Sequence, residues 1–208
     1  MKSLRTILSP KMPSPSGNIA TSTADISPTR SRTKALDAIL TREEIDAMFL
    51  AAKNVKDKAI LCLGLIGLRA SEIAGIERDW VDLSSRTIKI PAAVAKRDKQ
   101  RIVPFGEIAY VADTLRGFFV YDSGSIGLSR IQVFNRVKGM ARRAGITHPV
   151  TPHGLRATGA TLFASAGWSI TGLQNHFGWS TLKTAEHYIR SSGVVAIEDM
   201  KRFGGKVL

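Results

Sequence analysis

Three short segments of this chain concentrate side chains suited to phosphate and proton chemistry. "GLRASEI" holds Arg69 and Glu72, and "TPHGLRAT" holds His153 and Arg156. "FGWSTLKTAEHYIR" holds Trp179 and, nine residues later, Tyr188. Between the first two, "AKRDKQRIVPF" supplies Lys96 and Lys99. Each residue alone has a plain structural explanation. Arg69 could form a solvated ion pair with Glu72 or Asp79, His153 could cap a helix, and Trp179 could anchor a core. Tyr188 could bury its ring on an amphipathic helix and leave its hydroxyl wet. Together the set suits attack on a phosphodiester. The transition state is five-coordinate and more highly charged, and planar guanidinium forks donate paired hydrogen bonds to it while staying ionised. A phenol with a pKa of about 10 is a poor nucleophile at neutral pH, and a cluster of cations lowers that value. The histidines are scattered and no carboxylate pair has ligand spacing, so the set does not read as a metal site.

These segments must be held by a scaffold, and the sequence patterning predicts one that is mainly α-helical with a small antiparallel β-sheet, an α+β domain. Order begins near "TREEIDAMFLAA", where Thr41 and Glu44 form a capping box ahead of the apolar stripe Ile45, Met48 and Phe49. A buried helix follows around residues 58–68, and "RASEIAGIERDWVDL" reads as a helix ending in a turn. "RTIKI" and "QRIVPF" are the convincing strands, short and β-branched, joined by the basic connection "PAAVAKRDK". From Glu107 onward helical patterns dominate, with Gly145, Gly167 and Gly193 as stop or turn signals. Thr151 and Pro152 mark the start of the helix that carries His153 and Arg156.

Residues 1–33 are rich in Ser, Thr and Pro and read as a flexible basic arm or linker. Across 208 residues, 30 Lys and Arg face 17 Asp and Glu, a net charge of +13. The pI is near 10.3. Such an excess, spread along the chain, favours a polyanionic partner, because phosphate neutralisation with counterion release dominates nucleic-acid affinity. The longest apolar run, "AILCLGLIGL", is too short to span a bilayer. No signal peptide is evident, and the single cysteine, Cys62, suits a reducing cytoplasm.

The ordered set "GLRASEI … AKRDKQRIVP … HGLRAT … FGWSTLKTAEHY" resembles the catalytic domain of the tyrosine recombinases, the phage-integrase and Xer-type family. The resemblance runs from about Thr41 to the C-terminus. It implies a domain at 34–208 that cuts and rejoins DNA through a 3′-phosphotyrosyl bond, without metal, cofactor or ATP. Tyr188 would be the nucleophile, with Arg69 and Arg156 gripping the non-bridging oxygens. Lys96, first lysine of a K-x-x-K-x-R pattern, would protonate the leaving 5′-oxygen, with Lys99 in reserve. His153 would assist proton transfer, Trp179 occupies a slot more often filled by histidine, and Glu72 supports the site. Double-stranded DNA, a homotetramer assembled on it, and a C-terminal helix (Val194, Val195, Ile197, Met200, Phe203) docking in a neighbouring protomer are the implied partners. The usual helical domain ahead of the catalytic one is not recognisable in residues 1–33, which fits either a minimal recombinase or a piece of a longer one. Two alternatives stay open: a non-catalytic DNA-binding module derived from an integrase, and a nicking–closing activity of the type IB topoisomerase kind.

Overall fold

The computed structural model describes residues 39–94, 100–106, 108–122 and 124–192, all within the unit Lys34–Leu208. The arm at 1–33, the hairpin lysines Lys96 and Lys99, and the apolar tail beyond Gly193 lie outside the described residues.

Helix α1 (Arg42–Leu50) starts at the expected box: the Thr41 hydroxyl accepts from the Glu44 N–H, and Glu44 accepts from the Thr41 N–H. Each end satisfies a donor that the first turn would otherwise leave orphaned. Helix α2 (Val55–Leu65) is apolar nearly all round, and Ala59 to Gly64 are buried. A helix with no polar face belongs in the middle of a fold, and α2 packs against helices on several sides. Helix α3 spans only Ala70–Ala74, shorter than the pattern predicts. The chain then makes a 3₁₀ turn at Arg78–Trp80 and a strand β1 (Val81–Asp82). A two-residue strand is too short to show a period of two, so the sequence hid it.

Strands β2 (Thr87–Ile90) and β3 (Arg101–Pro104) are the two that the sequence announces. The sheet is antiparallel in the order β1-β2-β3, with Val81 opposite Ile88, Ile88 opposite Val103 and Ile90 opposite Arg101. Ile88, Ile90 and Val103 are fully buried. Helix α4 (Ala109–Arg116) runs on into π-helical turns at Gly117–Asp122. Helices α5 (Arg130–Arg143), α6 (Pro152–Ser165), α7 (Ile170–Phe177) and α8 (Leu182–Ser192) follow.

Two arrangements matter for the site. The first is the crossing of α6 over α2. A Cβ at Gly159 would lie 1.8 Å from the Leu65 carbonyl oxygen, so only glycine lets the two backbones approach this closely. That crossing sets the depth of α6, and hence of Arg156. The second is a small apolar cluster of Ala160, Ala164, Leu173, Phe177 and Ala185, onto which Phe163, Trp168, Trp179 and Tyr188 pack. It joins α6, α7 and α8. Burying the larger of these, Leu173 and Phe177, contributes roughly 1.5–3 kcal/mol each, and α8 packs onto them through Ala185, Tyr188 and Ile189. No helix among the described residues is long and apolar enough to cross a membrane.

Candidate active site

Helix α7 ends in a left-handed glycine, Gly178, with φ of 59° and ψ of 46°. The turn closes on itself: the Trp179 N–H donates to Gln174 O at 3.0 Å, and the Gly178 N–H donates to Asn175 O at 3.2 Å. The next three carbonyls point elsewhere, and each accepts from a different arginine. His176 O takes Arg101 Nε at 3.3 Å, Phe177 O takes Arg156 Nη2, and Gly178 O takes Arg69 Nη2 at 2.9 Å. A helix C-terminus leaves carbonyls unsatisfied and bears partial negative charge. It therefore draws cations together that would otherwise repel one another.

Glu72 completes the cradle. Its side chain is fully buried. Oε1 accepts from Arg69 Nη1 at 2.8 Å and Arg101 Nη1 at 2.6 Å, while Oε2 accepts from the Arg69 N–H and Arg101 Nη2, both at 2.7 Å. Burial by itself would raise the carboxyl pKa. Hydrogen bonds and charge from Arg101, then from Arg69, override it and hold Glu72 at about 2. Arg69 is not on a helix with Glu72, as the three-residue spacing suggests; it is the N-cap of α3. The pair meets because Glu72 reaches back to the helix start.

Arg156 and His153 lie one turn apart near the start of α6 and have opposite surroundings. Arg156 is buried and donates to the carbonyls of Gly67 and Phe177, whereas His153 is exposed. Burial, followed by the charges of Arg69 and Arg101, pulls the Arg156 pKa down to about 9, with Glu72 and Tyr188 acting the other way. It stays ionised at neutral pH. The Arg156 guanidinium carbon sits 5.2 Å from the centre of the Phe177 ring, a cation–π contact. Phe177 stacks on Trp179 with centroids 4.8 Å apart, and Trp179 stacks on Tyr188 at 5.2 Å. Aromatic contact thus runs without a break from Arg156 to the half-buried Tyr188.

The structure brings together Arg69, Glu72, Arg156, Trp179 and Tyr188, and keeps His153 on the same helix as Arg156. Two further residues that sequence reasoning missed belong to the cluster. Arg101, the last position of the K-x-x-K-x-R pattern, was visible there, though as a strand residue with no assigned role. His176 is buried, and its Nε2–H donates to Ile66 O at 2.7 Å; a carbonyl only accepts, which fixes the tautomer. Burial pushes its pKa down to about 4. Its one sequence signal was a histidine at a core-facing helix position next to Phe177.

The arrangement can hold a tetrahedral or five-coordinate oxyanion against fixed positive charge. Among the described residues, the clefts of about 720 and 760 Å³ are lined by side chains other than these.

Residues 38–193 match the phage integrase family. The chain is 30% identical over 187 residues to tyrosine recombinase XerD of Bifidobacterium longum (strain NCC 2705), covering 80% of this chain and 58% of the relative. Its fold resembles that of XerA recombinase, with a TM-score of 0.64 and 24% identity over 78% of this chain and 64% of that one. It also resembles XerH site-specific recombinase bound to a palindromic difH substrate, with a TM-score of 0.63 and 18% identity over 81% of this chain and 54% of that one. The chain spans less than two thirds of the length of each. A match that reaches from before α1 to the end of α8 takes in all the described elements that build the cradle, and on that ground the chain belongs to the phage integrase family.

Proposed function

We propose that this chain is a site-specific DNA strand transferase. The Tyr188 oxygen attacks a backbone phosphorus, a new O–P bond forms to the 3′ side, and the bond to the 5′-oxygen breaks. Arg69 and Arg156 hold the non-bridging oxygens, and His153 assists removal of the phenol proton. Lys96, or Lys99 in its stead, protonates the departing 5′-oxygen. The phosphotyrosyl linkage conserves the bond energy, so rejoining proceeds by the reverse attack of a 5′-hydroxyl without ATP. The guanidinium groups supply the charge that a metal ion supplies in other phosphoryl-transfer sites. Removing one such preorganised donor typically costs roughly 3–4 kcal/mol, a rate factor of about a hundred to a thousand.

The observation that carries this reading is the continuity of the site. The helix end that gathers Arg69 and Arg156 runs directly into Trp179, whose ring lies flat on that of Tyr188. Double-stranded DNA is the partner, in keeping with the charge of +13 and with the DNA-bound state of XerH. Residues 34–208 act as the catalytic domain within a homotetramer on DNA, with the tail beyond α8 docking in a neighbouring protomer and the basic arm at 1–33 touching phosphate.

The test is covalent trapping on nicked suicide duplexes taken from DNA flanking the gene. Wild-type protein should form an SDS-stable adduct in the presence of EDTA. Tyr188→Phe should form none yet bind the duplex nearly as well. Adducts in Tyr188→Phe would move the nucleophile elsewhere, and strict dependence on a divalent ion would overturn the mechanism. Strand exchange between two sites separates a recombinase from a nicking–closing enzyme.

A further inference from the structure

We propose that Arg101 is a positioning residue for the strand-transfer site: it neutralises Glu72, so that the charge of Arg69 remains available to phosphate. The inference rests on the strand-transferase reading above.

Glu72 has both oxygens buried and four donors on them, divided evenly. Arg101 contributes a bidentate fork, at 2.6 and 2.7 Å, and Arg69 contributes one side-chain and one backbone N–H, at 2.8 and 2.7 Å. The two arginines differ in what else they face. The Arg69 side chain is 24% exposed and that of Arg101 only 8%. Arg101 is also fixed from other sides, by His176 O at 3.3 Å and by Gly67 O at 3.5 Å. It packs so closely on Gly178 that a Cβ there would lie 2.8 Å from Arg101 Cδ.

A division of labour follows. The inner guanidinium is committed to the carboxylate, and the outer one, bonded to Glu72 and to Gly178 O, keeps part of its surface open to solvent. A buried carboxylate with a single cationic partner forms a locally neutral pair, and its field opposes any anion approaching that cation. With Arg101 present, the pair becomes a triad of net positive charge, and Glu72 can orient Arg69 without cancelling it. Arg101 opens β3, so the sheet is the element that delivers this charge to the helix end.

The experiment compares Arg101→Met, Glu72→Gln and the double variant by single-turnover adduct formation on the suicide duplex, with melting curves and non-covalent DNA binding in parallel. Arg101→Met should slow adduct formation by about 10- to 100-fold and leave non-covalent binding within about threefold. Adding Glu72→Gln removes the negative charge that would then cancel Arg69, and the double variant should be faster than Arg101→Met by at least about threefold. A role in packing alone predicts the opposite, since the double variant loses more bonds. Should Arg101→Met not fold, Arg101→Gln tests the same charge with some donors retained. Wild-type rates in a folded Arg101 variant, or a double variant no faster than the single, would overturn the proposal. If wild-type protein itself makes no adduct, the strand-transferase reading fails and this inference falls with it.

Discussion

The indole of Trp179 lies 8° from parallel with the Tyr188 ring, their centroids 5.2 Å apart. Tyr188 is carried by α8, while Trp179 follows the C-cap of α7, and the stack joins the two. In the proposed mechanism the arginines aim a phosphate, and the phenol oxygen must stand in line with it. A flat platform under the ring fixes its plane.

Trp179→Ala should therefore slow adduct formation more than it weakens DNA binding. The stacking term alone is worth about 0.5–1.5 kcal/mol, roughly 2- to 12-fold in rate. Trp179→Phe keeps a ring in place and should stay within about threefold of wild type by the same measure. A Trp179→Ala protein that cleaves at full rate would remove the platform from the mechanism.

The proton donor to the leaving group can be found by chemistry instead of geometry. Lys96→Ala should cleave slowly on ordinary DNA. It should recover on a duplex whose scissile 5′-oxygen is replaced by sulfur, because a thiolate leaves without protonation. Recovery seen with Lys99→Ala instead would hand the role to Lys99.

Gly178 combines a left-handed backbone with contact from Arg101. Gly178→Ala should lower stability by about 1–3 kcal/mol in a denaturant melt, from the αL strain and the displaced arginine together. It should also slow adduct formation, since the carbonyl that accepts from Arg69 belongs to this residue. Full activity with lowered stability would separate the two effects.

His176 predicts a pH dependence of stability. Its folded pKa is about 4 against an ordinary value of 6.5, chiefly through burial and then through the charges of Arg101 and Arg156. The unfolded chain takes up the proton that the folded state resists. The stabilisation from a neutral His176 is thus complete above pH 6.5 and is lost as pH falls toward 4. At roughly 1.4 kcal/mol per pH unit, the loss reaches up to about 3 kcal/mol. His176→Leu should flatten the melting-temperature profile between pH 6.5 and 4. An unchanged slope would assign the acid sensitivity to another group.

By itself, the sequence determined the reactive residue types, the excess of positive charge and most helix starts. Thr41, Ser129, Thr151 and Ser169 cap their helices as their side chains dictate, because capping depends on atoms within three residues of one another. The pattern from Arg69 to Tyr188 was legible for the same reason: each motif is short and locally spaced. Only the tertiary structure decided which arginines face inward. Arg69 finds its carbonyl 109 residues away, Arg156 one of its two at 89, and Arg101 at 75. Nothing in local periodicity encodes such a meeting. It exists because α2 and α6 cross at Gly159, and because α7 stops where its last carbonyls have no N–H of their own to bind.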